Sequence, residues 1–172
     1  MKRAPKTLEE LMAVALAIEL DAVQRYKDFA DTLEAHNNHE VAALFRTMAG
    51  YEGHHVEQVM STMGWTTPPA AALAPMPWVG GESPEAVPFE DVHYLMQPWH
   101  ALELALAAEQ RAEAFFAELV EAADEGPVRE AARQMQAEEA EHVQLVRAWM
   151  AKVPRPDSAW ADDPDPPRYS DL

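Results

Sequence analysis

No cysteine occurs in the 172 residues. That excludes disulfides, thiolate zinc sites and any iron-sulfur or rubredoxin-type module within this chain, so a metal held here has only nitrogen and oxygen ligands. Glycine is scarce, at 6 residues, and no stretch alternates Val, Ile and Thr with polar residues as a half-buried strand does. No apolar run approaches the ~20 residues of a membrane span. Basic residues are few: 13 Lys and Arg stand against 30 Asp and Glu, a formal net charge of -17. Such a surface argues against nucleic acid and anionic membranes as partners and draws cations toward it. Lys2 and Arg3 precede the apolar run Leu11 to Ile18, but Glu9 and Glu10 interrupt the transition a signal peptide needs, so the expected location is the cytoplasm.

What is present favours helix. Ala, Leu, Glu, Met and Gln dominate outside the Pro-rich parts, and 48% hydrophobic composition over this length suits one core, so the expectation is an all-α single domain. The first helix is expected from about Leu8 to Ala35, with Thr7 and Glu10 in capping-box spacing. A tight turn at His36 to Asn38 leads to a second, reaching about Met63 and stopping at Gly64. From 64 to 97 runs a connection carrying Pro68, Pro69, Pro75, Pro77, Pro84 and Pro88, too broken for a long helix but with room for a short one around Glu90 to Met96. The third helix opens at Pro98 and closes near Gly126, and the fourth runs from Pro127 to about Lys152. A long crossover between the second and third helices is what an antiparallel four-helix bundle with one crossover requires. The bundle is expected over residues 7–152, followed by a Pro- and Asp-rich tail, 153–172, without a fold of its own.

The apolar stripes contain unexpected residues. Steps of three and four along the first helix give Met12, Ala15, Glu19, Ala22, Tyr26, Phe29 and Leu33, which places Glu19 in a core slot. The second stripe is Val41, Phe45, Met48, Glu52, His55, Val59; the third is Leu102, Ala105, Glu109, Ala112, Phe116, Leu119; the fourth is Val128, Ala132, Met135, Glu139, His142, Val146, Trp149. Glu52 with His55 and Glu139 with His142 are Glu-x-x-His motifs, whose side chains share one helix face and can hold one ion between an oxygen and a nitrogen. The motif alone is weak. With 20 Glu and 7 His roughly one copy arises by chance, and a third, Glu90-x-x-His93, lies in the broken connection. A lone Glu in a seam is ordinarily a register device and a lone His a satisfied core residue. Glu90 and His93 lack a partner helix at the same depth, and His36, His39 and His54 are read as surface residues, so none of the five is counted as a ligand.

Register separates the other six from that reading. The third stripe matches the first and the fourth matches the second, so two helical hairpins repeat about a pseudo-twofold. Glu19 and Glu52 both lie ~21 to 24 Å from their shared turn at ~1.5 Å per residue, and Glu109 and Glu139 agree to about a turn. Four carboxylates in an apolar seam cost several kcal/mol each unless neutralised. Two divalent cations supply the missing charge, and the imidazoles complete the ligand sets. Such O/N donors with vacancies suit Fe(II) or Mn(II), with Zn(II) as a contaminant.

At these residues the chain resembles the rubrerythrin branch of the ferritin-like superfamily, over about residues 7–152. The resemblance implies a ferritin-like bundle with Glu19, Glu52, His55, Glu109, Glu139 and His142 as ligands of two iron ions, Glu52 and Glu139 bridging. Tyr26 resembles the tyrosine the family keeps behind its ligands and is the candidate catalytic side chain. Rubrerythrins carry a further Glu three residues after the third-helix ligand; here that position is Ala112, with Glu113 one residue further round. A six-ligand set resembles bacterioferritin ferroxidase centres, although the tail cannot supply the fifth helix that helps build cages.

The resemblance implies a di-iron oxidoreductase of ferroxidase or peroxidase type, with O2 or H2O2 and Fe(II) as partners and an external electron donor. A homodimer is expected, with hairpin exchange permitted by the long crossover. Two alternatives stay open: a di-iron oxygenase, which needs an apolar channel beside the site, and a non-catalytic metal-binding bundle.

Overall fold

The computed structural model describes residues 4–163, and every regular element in it is helical. Helix α1 spans Leu8–Ala35 and α2 spans His39–Met63; a one-turn α3, Ala70–Leu73, and a 3-10 turn, Phe89–Asp91, interrupt the crossover; α4 spans Pro98–Ala122 and α5 Pro127–Met150. This is the expected ferritin-like four-helix bundle.

Helix ends follow local chemistry. Thr7 Oγ1 accepts from the Glu10 amide at 3.1 Å, while the Glu10 carboxylate takes the Lys6 amide at 2.7 Å, one residue before the reciprocal capping-box position. Asn38 caps α2, accepting from the Val41 amide, and Gly64 ends it at φ 66, a left-handed conformation that glycine adopts without strain. Proline opens both α4 and α5, where its missing N–H leaves nothing unpaired. The third helix ends at Ala122 rather than near Gly126, which itself sits at φ 144 as the cap of α5.

Helix α1 packs along α2 and α4 along α5, and the hairpins meet through α1 against α5 and α2 against α4. The stripe residues of α1 and α4 are all buried. One apolar cluster, including Phe29, Phe45, Leu102 and Val146, fills the end of the bundle at the α1–α2 turn. Another, including Leu11, Ile18, Phe116 and Met135, fills the opposite end. Between them lie Glu19, Glu52, Glu109 and Glu139, all buried.

The crossover must travel from the end of α2 back to the α1–α2 turn, and it does so in contact with the bundle. Ala72 of α3 is buried against the cluster of Met12, Leu16 and Val59. At the far end Asn38 Nδ2 donates to the carbonyls of Tyr94 (3.0 Å) and Met96 (2.7 Å). Of the short helix for which Glu90 to Met96 had room, only a 3-10 turn at Phe89–Asp91 forms, and the carbonyls of Tyr94 and Met96 are taken by the Asn38 side chain instead. The tail forms no helix to 163, yet it is anchored: the Trp160 ring lies 3.8 Å from that of His100, and Tyr94 Oη donates to Asp163 at 2.5 Å. Residues 164–172 of the tail lie outside the described residues. No described helix is long and apolar enough to cross a membrane.

Candidate metal centre

The six polar stripe residues meet as two triads in the middle of the bundle. Glu19, Glu52 and His55 each offer one ligand atom within 4.8 Å of the others, and Glu109, Glu139 and His142 do the same on the second hairpin. His55 Nδ1 lies 3.1 Å from Glu52 Oε2 and 3.7 Å from Glu19 Oε2; His142 Nδ1 lies 3.3 Å from both Glu109 Oε2 and Glu139 Oε2. The imidazoles stack across the pseudo-twofold, 4.2 Å between centroids and 8° from parallel. His36, His39 and His54 are exposed. His93 stacks on Tyr94 and accepts the Leu95 amide, and with the exposed Glu90 it joins no ligand group among the described residues.

The electrostatics are those of carboxylates crowded into a buried layer. Burial, reinforced by Glu52 and Glu139 and opposed by His55, pushes the Glu19 carboxyl up to about 8. Burial with Glu52 and Glu139 likewise lifts Glu109 to about 7 against the pull of His142. For the imidazoles burial acts downward, joined at His55 by the facing His142, but Glu19 and Glu52 overcome it and push His55 up to about 10, and Glu109 and Glu139 push His142 up to about 11. Buried Oε2 atoms of Glu19, Glu109 and Glu139 make no hydrogen bond. Their imidazole neighbours stand at ion-pair distance only. Orphaned carboxylate oxygens are costly in a packed core, and together with two Nδ1 atoms aimed among them they form a donor set that fits two divalent cations.

A sequence model of the rubrerythrin family matches residues 10–74, the segment bearing Glu19, Glu52 and His55. The crystal structure of an uncharacterized conserved protein from Magnetospirillum magnetotacticum MS-1 is similar over most of the chain: 35% identity, 88% of this chain and 98% of that one covered, TM-score 0.63. This chain belongs to the rubrerythrin-like branch of the ferritin-like superfamily. No functionally curated protein shows significant similarity to it.

Around this rubrerythrin-like core the structure adds one residue that sequence reasoning missed. Glu85, from the crossover, is as buried as the helical carboxylates, and its carboxylate forms a third group with Glu19 and Glu139 within 4.8 Å. Nothing in its Pro-rich surroundings has a period that assigns a face. Ala112 is fully buried, and Glu113 joins no ligand group among the described residues.

Two openings flank the layer. A cavity of about 50 Å³ touches Glu52, His55, Glu109 and His142 and is walled by Tyr26 and Tyr51. At that size it suits a molecule as small as water, O2 or H2O2. Tyr26 is buried and stacks on Phe45, 5.7 Å between centroids; burial first, then Glu52 and Glu109, raises its phenol well above the usual value, so Oη keeps its proton. On another side a groove of about 340 Å³ between Met12, Val59, Met63 and Met135 reaches His55.

Proposed function

We propose that the chain is a non-haem di-iron oxidoreductase that oxidises Fe(II) or reduces O2 or H2O2, in iron handling or defence against oxidants. The observation that carries this reading is the pair of Glu-Glu-His triads facing each other across stacked imidazoles, with orphaned carboxylate oxygens between two apolar clusters. Glu19, Glu52 and His55 would hold one ion and Glu109, Glu139 and His142 the other, with Glu52 and Glu139 bridging. Two Fe(II) ions supply one electron each, enough with two protons to reduce O2 to H2O2 or H2O2 to water.

The protein's share is positioning and exclusion. The clusters above and below the layer keep bulk water out, and the 50 Å³ cavity admits the oxidant beside four of the six donors. Tyr26 Oη, protonated at neutral pH and on the cavity wall, would orient the oxidant or give up its hydrogen. Re-reduction falls to an external donor, since no thiolate cofactor can form on these residues.

The test follows the anaerobically loaded di-Fe(II) protein after mixing with O2 or with H2O2. Oxidation by O2 at a rate at least comparable to that by H2O2 is expected, giving ferroxidase-like behaviour. Inertness to both oxidants with two ions bound would leave a metal-binding bundle. A preference for H2O2 by orders of magnitude would make it a peroxidase instead.

A second reading has its own observation. The groove reaching His55 is large enough for an organic molecule, as a di-iron oxygenase needs, although His55 is the only one of the six donors on its wall. Filling it by Val59→Trp separates the two: an oxygenase loses turnover, whereas oxidation of the loaded protein by O2 persists in the reading preferred here.

A further inference from the structure

The crossover passes the metal layer with its backbone held on both sides. Ser83 to Ala86 forms a turn closed by the Ala86 amide on the Ser83 carbonyl at 3.0 Å, with Pro84 at the position proline prefers and Glu85 next to it. From α4, Arg111 straddles the turn, donating through Nε to the Pro84 carbonyl and through Nη2 to the Ala86 carbonyl, both at 2.9 Å. From α1, Arg25 Nη1 donates to the Val87 carbonyl at 3.0 Å, with Arg25 Nε fixed by Asp21. Neither arginine bonds the Glu85 carboxylate. They take the carbonyls on either side of it and leave the side chain directed inward, only 4% exposed, where Oε2 has no hydrogen-bond partner.

That arrangement is a poor one for a structural glutamate. A glutamate kept for packing would be paired with one of the two arginines beside it, since an unpaired buried carboxylate is destabilising. Instead the chain brings Glu85 to within 4.8 Å of Glu19 and Glu139, one from each hairpin, which themselves carry orphaned oxygens. We propose that Glu85 is a fifth carboxylate donor of the dinuclear centre, delivered by the crossover and aimed by Arg25 and Arg111. It contacts the ions from outside the four helices and ties the crossover to the loaded site.

The inference rests on the dinuclear reading above and adds a charge consequence. Two divalent ions neutralise four carboxylates, and a fifth leaves one negative charge over. Two trivalent ions bring more positive charge, so the extra carboxylate favours the oxidised pair and its loss raises the reduction potential.

The experiment compares the full chain with Glu85→Gln, which keeps the shape and removes the charge, and with Arg111→Met, which loosens the aim and leaves the carboxylate. Co(II) titration with chelator competition and Co(II) absorption spectra read affinity and coordination without catalysis; the midpoint potential of the iron-loaded protein reads the charge. Expected are two ions in the parent, a roughly ten-fold or larger weakening of one of them in Glu85→Gln with altered Co(II) bands, and a more positive potential. Arg111→Met should shift both readouts the same way, by less. Two ions in the parent with unchanged affinity, spectrum and potential in Glu85→Gln overturn the role of Glu85 and leave the dinuclear reading standing. Fewer than two ions in the parent overturn both. Should Glu85→Gln fail to fold, unchanged Co(II) bands in Arg111→Met decide against the proposal.

Discussion

Individual residues in this chain are chosen against the packing rules of their surroundings, and that is why they can be read. Glu19, Glu52, Glu109 and Glu139 occupy positions where the helical period demands an apolar side chain, and each is buried there. If Glu52 and Glu139 bridge, Glu52→Ala or Glu139→Ala should lose both ions, whereas His55→Ala should mainly weaken one. Metal analysis after gel filtration distinguishes the cases, and two tightly held ions in either Glu variant refute bridging. Tyr26→Phe should keep two ions per chain while slowing oxidation on the order of ten-fold or more, as loss of a positioned proton donor does. An unchanged stopped-flow rate would return Tyr26 to a packing role beside Phe45. Glu85 escaped sequence reasoning for a physical reason. A side chain on a helix inherits a face from the period, whereas one in a Pro-rich crossover is directed by tertiary bonds such as those of Arg111, which no local pattern encodes.

At the scale of elements, the four helices were legible because caps and breakers coincide with the period: Thr7, Asn38, Gly64, Pro98 and Pro127 stand at observed helix ends. The stretch from Glu90 to Met96 was not, because Asn38 takes two of its carbonyls. The polar layer also sets how the metal-free bundle responds to pH. Its paired groups hold protons more tightly folded than unfolded: Glu19 between 4.5 and about 8, Glu109 between 4.5 and about 7, His55 between 6.5 and about 10, His142 between 6.5 and about 11. Raising pH strips protons the folded state prefers to keep, so metal-free stability should fall across those windows. Glu52, Glu85 and Glu139 face the same layer and add to the repulsion. Thermal melts of chelator-treated protein should show a declining Tm from pH 6 to pH 9, and Glu19→Gln should flatten the slope. Loaded protein should lack the decline, because bound cations replace the protons. A metal-free Tm that rises over this range would contradict the account of the layer.

For the molecule as a whole, the crossover runs from one end of the bundle to the other and lets both hairpins of a single chain close on one site. The same length would let hairpins exchange between chains, and we propose a homodimer. Light scattering should give twice the chain mass; a monomer or a large shell would count against it. The central claim is that one polar layer in one bundle holds a pair of ions. It is tested most directly by anaerobic Fe(II) titration of the full chain, followed by removal of free iron and metal analysis. The account predicts close to two ions per chain. A value near zero, or a single ion, in protein whose helical content is intact would contradict it.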